Sequence, residues 1–250
     1  MDTRKICLLQ QECGIGDIIF CQGVANHYRE LGYRIVWPIK KEIFEIVPYL
    51  NDQVEFYPTD EDYPLKSMFL ECYSSKKLLK SVDEHIFIPL GYSSYMIHPI
   101  NRQIMQSKYT ICGLDWKIWK DNFNITRNCK KENELFYDIL GLKDDEDFTF
   151  LNETFSTQPT VVHRDIKSLL SSFEETKICK MRFVDGFTLF DWCKVFENMK
   201  YTLTVDTSLM YILEKLNLRN KENFICVPRS PITESDVGNM FEIPWRFINV

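Results

Sequence analysis

Short apolar runs alternate along this chain with longer stretches of helical period. Ile6-Cys7-Leu8-Leu9 is a run of the kind that forms a buried strand. Gly14-Ile15-Gly16-Asp17 breaks it, and Ile18 to Leu31 then carries apolar residues at helical spacing, closed by Gly32 where a helix C-cap belongs. Arg34-Ile35-Val36-Trp37-Pro38 predicts a second strand, and Ile43, Phe44, Ile46 and Val47 a helical stretch after it. Val54-Glu55-Phe56-Tyr57 and His85-Ile86-Phe87-Ile88-Pro89 predict further strands. Strand alternating with helix predicts a mainly parallel sheet with both faces covered.

From Ile97 to Leu142 the pattern turns helical and aromatic, with Trp116, Trp119, Phe123, Phe136 and Tyr137. Gly141 and the acidic run Asp144-Asp145-Glu146-Asp147 interrupt it, which places a domain boundary near residues 143–148. A second series follows: a strand at Phe148 to Leu151, a strand at Ile178 to Phe183, and an amphipathic helix from Leu189 to Met199. It continues with a strand at Tyr201 to Val205, a helix from Ser208 to Leu216 and a strand at Phe224 to Val227. The tail, Phe241 to Val250, is aromatic and apolar, which suits a segment packing back on the first domain. The expected fold class is α/β, two Rossmann-like domains facing a cleft: residues 1–145, residues 146–238, and a tail, 239–250, returning to the first.

Charge narrows the partners. Thirty basic and thirty-six acidic residues leave a net charge of −6, a poor basis for holding nucleic acid through its phosphates. An anion must therefore be held locally, by a few aimed groups. No segment reaches the roughly 18 uninterrupted apolar residues of a membrane span. The start, Met1 to Lys5, has no signal-peptide pattern. Nine cysteines, an odd number without any Cys-x-x-Cys, read as reduced and mostly buried thiols, and the setting expected is cytoplasmic. The sequons at Asn124 and Asn152 then carry no glycan.

Two segments carry candidate chemistry. Gly14 and Gly16 open a helix straight after the first strand, as in dinucleotide binders, but Ile19 stands where that fingerprint needs a third small residue. The turn reads either as a glycine turn with Asp17 as helix cap, or as a ligand-facing loop with Asp17 as general base. Asp206-Thr207-Ser208 sits at a strand-to-helix junction, where helix N–H groups and small hydroxyls suit a diphosphate; these residue types are also plain caps. Arg164 and Lys167, beside His163 and Asp165, are candidate basic partners for the diphosphate. Asp60-Glu61-Asp62 and Asp145-Glu146-Asp147 have the spacing that holds Mn²⁺ or Mg²⁺ on a nucleotide, or are solvated charge. Cys13, beside the glycine turn, has no base marked for it and reads as a packed thiol.

Gly16-Asp17 and Asp206-Thr207-Ser208-Leu209-Met210-Tyr211 together resemble the two-domain (GT-B) glycosyltransferases, most closely their heptosyltransferase-like, family 9-like branch. That branch has a Gly-Asp at the first strand-to-helix turn and a late Asp-Ser/Thr-Gly-x-x-His at the donor side. Thr188-Leu189-Phe190-Asp191-Trp192 through Asn198 is similar to its preceding helix. Ser208 replaces the glycine, Tyr211 the histidine, and 250 residues is short for the fold. The resemblance implies transfer of a sugar from a nucleotide-diphosphate sugar to a glycan or other hydroxyl acceptor, inverting and independent of metal or other cofactor. It implies Asp17 as base, Gly14 and Gly16 on the acceptor side, and Asp206, Thr207, Ser208, Arg164 and Lys167 at the donor diphosphate. Two other readings stay open: a catalytically silent nucleotide- or partner-binding protein on this scaffold, or a metal-dependent (GT-A) transferase using Asp60 and Asp62.

Overall fold

The computed structural model describes residues 5–12, 14–50, 52–61, 64–92, 104–153, 176–219, 222–228 and 240–248. The chain forms two compact units, Met1–Thr126 and Arg127–Val250. The first is built on β1 (Ile6–Leu9), β2 (Arg34–Lys40), β3 (Glu55–Thr59), β4 (Lys80–Val82) and β5 (His85–Ile88), in the order β3-β2-β1-β5-β4. Only β4 runs antiparallel, as the hairpin partner of β5. β1 is the central strand, with Cys7 opposite Ile35 on one side and Ile86 on the other. The chain moves outward from β1 to β2 and β3, then returns to β5 on β1's other edge. That reversal makes the carboxyl end of β1 a topological switch point, where open α/β sheets leave a crevice for ligands.

Helices α1 (Ile15–Phe20) and α2 (Gln22–Glu30) follow β1, and α2 ends as predicted, with Gly32 at a positive φ of 89°. The stretch after β2 is a 3₁₀ helix, Lys41–Tyr49, carrying Pro48 inside it; a proline lacks the N–H that a continuing α-helix needs. Helix α3 (Lys66–Ser75) and strand β4 have no counterpart in the predicted elements. Helix α4 (Ile104–Thr110) brings Tyr109 edge-on to Phe20 at 4.9 Å, and the Tyr109 hydroxyl donates to the Phe20 carbonyl at 2.6 Å. Trp119 completes this buried aromatic group at 5.8 Å from Phe20.

The second sheet has β6 (Phe148–Asn152), β7 (Lys177–Lys180), β8 (Tyr201–Val205), β9 (Phe224–Val227) and β10 (Arg246–Phe247), all parallel, in the order β10-β9-β8-β6-β7. Phe150 packs edge-on to Trp192 at 6.1 Å and to Phe196 at 5.1 Å. The predicted helix from Leu189 to Met199 is a 3₁₀ turn, Leu189–Trp192, running into α6 (Cys193–Asn198), which a shorter helix precedes in this unit. The earlier one, α5 (Cys129–Asn133), passes into a π-turn, Glu134–Ile139.

Two boundaries expected from sequence differ from what the chain does. The units part at Thr126 and Arg127, ahead of the acidic run that reads as a linker. Arg127 donates to Glu132 and, at 2.9 Å, to both carboxylate oxygens of Glu197, tying α5 to α6. Phe136 meets Phe148 at 6.4 Å. The acidic run itself is stapled down, Asp144 by Lys194 at 3.3 Å, Glu146 by Lys177 at 3.1 Å and Asp147 by Lys200 at 2.6 Å. The tail was expected on the first half; its described residues instead extend the second sheet. Arg246 pairs with Ile225, Trp245 lies edge-on to Phe224 at 5.2 Å, and Ile243 N–H donates to Glu214 at 2.8 Å.

Of the described cysteines none is in a disulfide, and all but Cys112 and Cys129 are buried. Burial pushes the Cys179 thiol up to about 11, so it is a packing group rather than a nucleophile. Among the described residues no helix is long and apolar enough to cross a membrane.

Trp37 of β2 is fully buried, and its indole N–H donates at 2.8 Å to the carbonyl of Gln11, just past β1. Trp37→Phe removes that donor and some ring volume, so it should cost about 1–3 kcal/mol. Urea unfolding of the variant against wild type measures it.

Candidate functional site

The chain beyond β1 stays buried although it turns polar. Gln10, Gln11 and Glu12 are all nearly inaccessible, and each is held by a strand next to β1. Gln10 N–H donates to Ile88 O at 2.9 Å, and its own carbonyl accepts from Gly91 N–H at 2.7 Å. The Glu12 carbonyl accepts from Lys40 N–H at 2.8 Å. The Gln10 amide donates to the Glu12 carboxylate. Gly91 leaves room for it: a Cβ there would stand 2.8 Å from Gln10 Nε2.

Lys108 of α4 reaches into this layer. Its Nζ donates to Gln11 Oε1 at 2.6 Å and to Leu90 O at 3.1 Å, and stands 3.0 Å from Asp17 Oδ1. An ammonium has three N–H bonds, and these three acceptors account for them. The Lys108 side chain is 3% exposed while that of Asp17 is 32% exposed. A charge buried so completely requires an opposite charge and full hydrogen bonding; the carboxylate it meets still reaches solvent.

Asp17 occupies the third position of α1. The capping position is Gly14, at φ 82°, so the helix-cap reading of Asp17 does not describe this turn. A Cβ on Gly14 would overlap Asp17 Oδ2, so the turn is open to the carboxylate only because residue 14 has no side chain. Gly16 is the second residue of the helix. Burial pushes the Glu12 carboxyl above its ordinary range, against the pull of its hydrogen bonds and of Lys108 and Lys40.

In the second unit the switch point lies between β6 and β8, and a side chain absent from the predicted site occupies it. Asn152, buried at the end of β6, donates to Thr204 Oγ1 at 3.0 Å and to Thr207 Oγ1 at 3.4 Å. Thr207 Oγ1 also accepts from Leu209 N–H at 3.4 Å. Burial of Asn152 removes it as a glycan acceptor in this fold. Asp206 is buried, Thr207 and Ser208 are partly open, and the three lead into the short helix α7 (Leu209–Leu213). Ser208 is at the N-cap, yet its hydroxyl makes no capping bond. Tyr211, where the resemblance expects histidine, packs its ring on Phe241 at 5.1 Å.

Arg164 and Lys167 lie outside the described residues, as do His163, Asp165, Asp62 and Cys13. Asp60 is in an ion pair with Lys41. Among the described residues no three His, Cys, Asp or Glu side chains gather as metal ligands. The sequence named Asp17, Gly14 and the 206–208 junction as candidates, and each lies at the end of a strand beside a switch point. It did not name Lys108, Gln10, Gln11, Glu12 or Asn152, which the fold places beside those candidates. A polar Gln-Gln-Glu straight after an apolar strand was the only local signal; nothing in the sequence marks Lys108.

No protein-family model and no curated protein matches the chain. Solved structures do. The glycosyl transferase family 9 protein from Veillonella parvula is similar over 99% of this chain and 87% of its own, at 12% identity and a TM-score of 0.55. The iron-containing dodecameric glycosyltransferase TibC from enterotoxigenic E. coli is similar over 91% of this chain, at 9% identity and a TM-score of 0.53. This chain spans 58% of TibC. TibC in complex with ADP-D-beta-D-heptose gives a TM-score of 0.51. At such identities the likeness is one of fold: two parallel-rich, Rossmann-like sheets, consistent with the GT-B fold of those structures.

Glu12 makes stability depend on pH. Below its ordinary value of 4.5 both folded and unfolded chains hold the proton, and the buried carboxyl costs nothing. As the pH rises, the unfolded chain ionises first, and the penalty grows until the raised folded value is passed. Glu12→Gln keeps an acceptor for Gln10. Its melting temperature should match wild type near about pH 3.5 and exceed it by about pH 7. Thermal melts of both proteins across that range check the sign.

Proposed function

We propose that this chain is a glycosyltransferase, moving a sugar from a nucleoside-diphosphate sugar to an acceptor hydroxyl with Asp17 as general base. The observation that carries the reading is the Asp17 carboxylate, part-exposed and fixed at the switch point of the first sheet. The full-length likeness to a family 9 transferase supports it. In the reaction Asp17 takes the acceptor proton as the acceptor oxygen bonds to the anomeric carbon. The bond from that carbon to the diphosphate breaks, and its electron pair leaves with the diphosphate. One displacement of this kind inverts the anomeric centre.

On the donor side the reading places the diphosphate against Asp206, Thr207 and Ser208, with Arg164 and Lys167 as its basic partners. The partly open Thr207 and Ser208 support it, since small hydroxyls at a strand-to-helix junction leave room for phosphate oxygens. Aimed dipoles and basic side chains can stabilise the leaving diphosphate in place of a divalent cation. TibC in complex with ADP-D-beta-D-heptose makes ADP-sugars the first donors to test.

Asp17→Asn should lower turnover about 10²–10⁴-fold, the usual worth of general-base help, with ADP affinity kept. Because Asp17 balances Lys108, the variant should also lose about 1–2 kcal/mol of stability, between the worth of an exposed and a buried ion pair. Rates measured in excess EDTA at a temperature where both proteins are folded decide the matter. An equally active variant removes the base assignment, and turnover only with Mn²⁺ favours the Asp60 and Asp62 route.

Ser208→Phe puts a ring where the diphosphate is placed, on a residue that is only partly buried. ADP binding by calorimetry should weaken about tenfold or more, equivalent to at least ~1.4 kcal/mol, with the melting temperature kept. Unchanged affinity places the nucleotide elsewhere.

A further inference from the structure

We infer that Lys108 is the positioning residue of the base, and that Asp17 Oδ2 is the oxygen that receives the acceptor's proton. The inference rests on the reading of Asp17 as base and goes beyond it by assigning each oxygen a task. Asp17 Oδ1 faces Lys108 Nζ at 3.0 Å, while Oδ2 lies over the space that Gly14 leaves empty. The carboxylate is thus gripped by one oxygen and presented by the other.

The grip is stiff because Lys108 is not a surface lysine swinging on a flexible stem. Gln11 Oε1 at 2.6 Å and the Leu90 carbonyl at 3.1 Å hold its ammonium, and each belongs to the chain just past a different strand of the switch point. The Gln11 backbone is itself held by the Trp37 indole at 2.8 Å. A general base must stand within hydrogen-bond reach of the proton it removes, and an error of about 1 Å can cost about 10²-fold. A free Asp rotates about two side-chain bonds; this one has a buried cation on one side and a glycine turn on the other. Transfer then places the acceptor's proton on Oδ2 while Oδ1 keeps its partner, so the lysine need neither give nor take a proton.

A purely structural Lys108, present only to fill α4's buried face, predicts something different: its loss should slow any variant by the same factor. The test is a double-mutant cycle on the full chain, reading kcat and KM for release of ADP from ADP-D-beta-D-heptose, with UDP- and GDP-sugars as further probes. Lys108→Met keeps the stem and removes the charge. It should lower kcat about 10–100-fold with KM for the donor within about threefold. In an Asp17→Asn background Lys108→Met should add less than about twofold, because the group it positions is gone. Wild-type kcat in Lys108→Met, or losses that multiply in the double variant, would overturn the proposal.

Should Lys108→Met fail to fold, Gly14→Ala probes the same carboxylate from the exposed side, where a new Cβ must displace Oδ2. It should lower kcat at least tenfold in the Asp17 protein and less than about twofold in Asp17→Asn. Crystal structures of wild type and of a Lys108 variant give a readout free of any substrate. An Asp17 carboxylate that keeps its direction without the ammonium refutes the positioning role. A wild-type chain inactive on all three donor classes, or one as active when Asp17 is Asn, instead defeats the base reading, and the crystallographic comparison still judges Lys108.

Discussion

The ammonium of Lys108 is the group around which the first unit's candidate site is arranged. At a switch point the chains leaving two neighbouring parallel strands diverge, and polar groups just past the strand ends are buried between them. Polar groups at that place must be satisfied by something other than sheet. Here a buried cation does part of it, taking the Gln11 side-chain oxygen from the β1 side and the Leu90 carbonyl from the β5 side. The cost of burying a charge is offset only if every donor finds an acceptor, and the third acceptor is Asp17. One requirement therefore links the integrity of the sheet edge to the direction of a part-exposed carboxylate.

The second unit meets the same topological problem with a neutral side chain. Asn152 closes the end of β6 to β8 through Thr204 and Thr207. An amide suffices because the groups it meets are the hydroxyls of Thr204 and Thr207. The difference has a chemical consequence. The first switch point carries a part-exposed carboxyl group, whereas the second carries the partly open hydroxyls of Thr207 and Ser208. Each sheet thus satisfies its own reversal with a different kind of side chain.

The positions that depart from the resemblance have physical accounts. Tyr211, where the resemblance expects histidine, is buried against Phe241, a residue of the tail that extends the second sheet. Its ring serves packing. Ser208, where it expects glycine, has an ordinary helical φ of −53°, so no glycine is required there. Gly14 is the opposite case: its φ of 82° and the carboxylate above it both exclude a side chain.

Much of the fold was legible locally. The runs at Ile6–Leu9, Phe148–Asn152, Tyr201–Val205 and Phe224–Val227 became interior strands, since strands covered on both faces favour apolar and β-branched residues. Gly32 ended its helix for a reason confined to its own backbone. The glycine turn with Asp17, and the Asp-Thr-Ser junction, were visible because strand-to-helix turns carry their requirements in consecutive residues. The rest needed tertiary structure. The acidic run read as a linker because its lysines, 194, 177 and 200, come from distant segments. The tail went to the wrong unit because an apolar strand can add to any open edge, and only the free edge of β9 decides which. Lys108 stayed hidden for the same reason, more sharply: a lone lysine in a helix is ordinarily solvated, and its burial exists only because Gln11, Leu90 and Asp17, more than seventeen positions away in every case, converge on it. Sequence determines which residues have chemistry to offer; the fold's long-range contacts decide which of them meet.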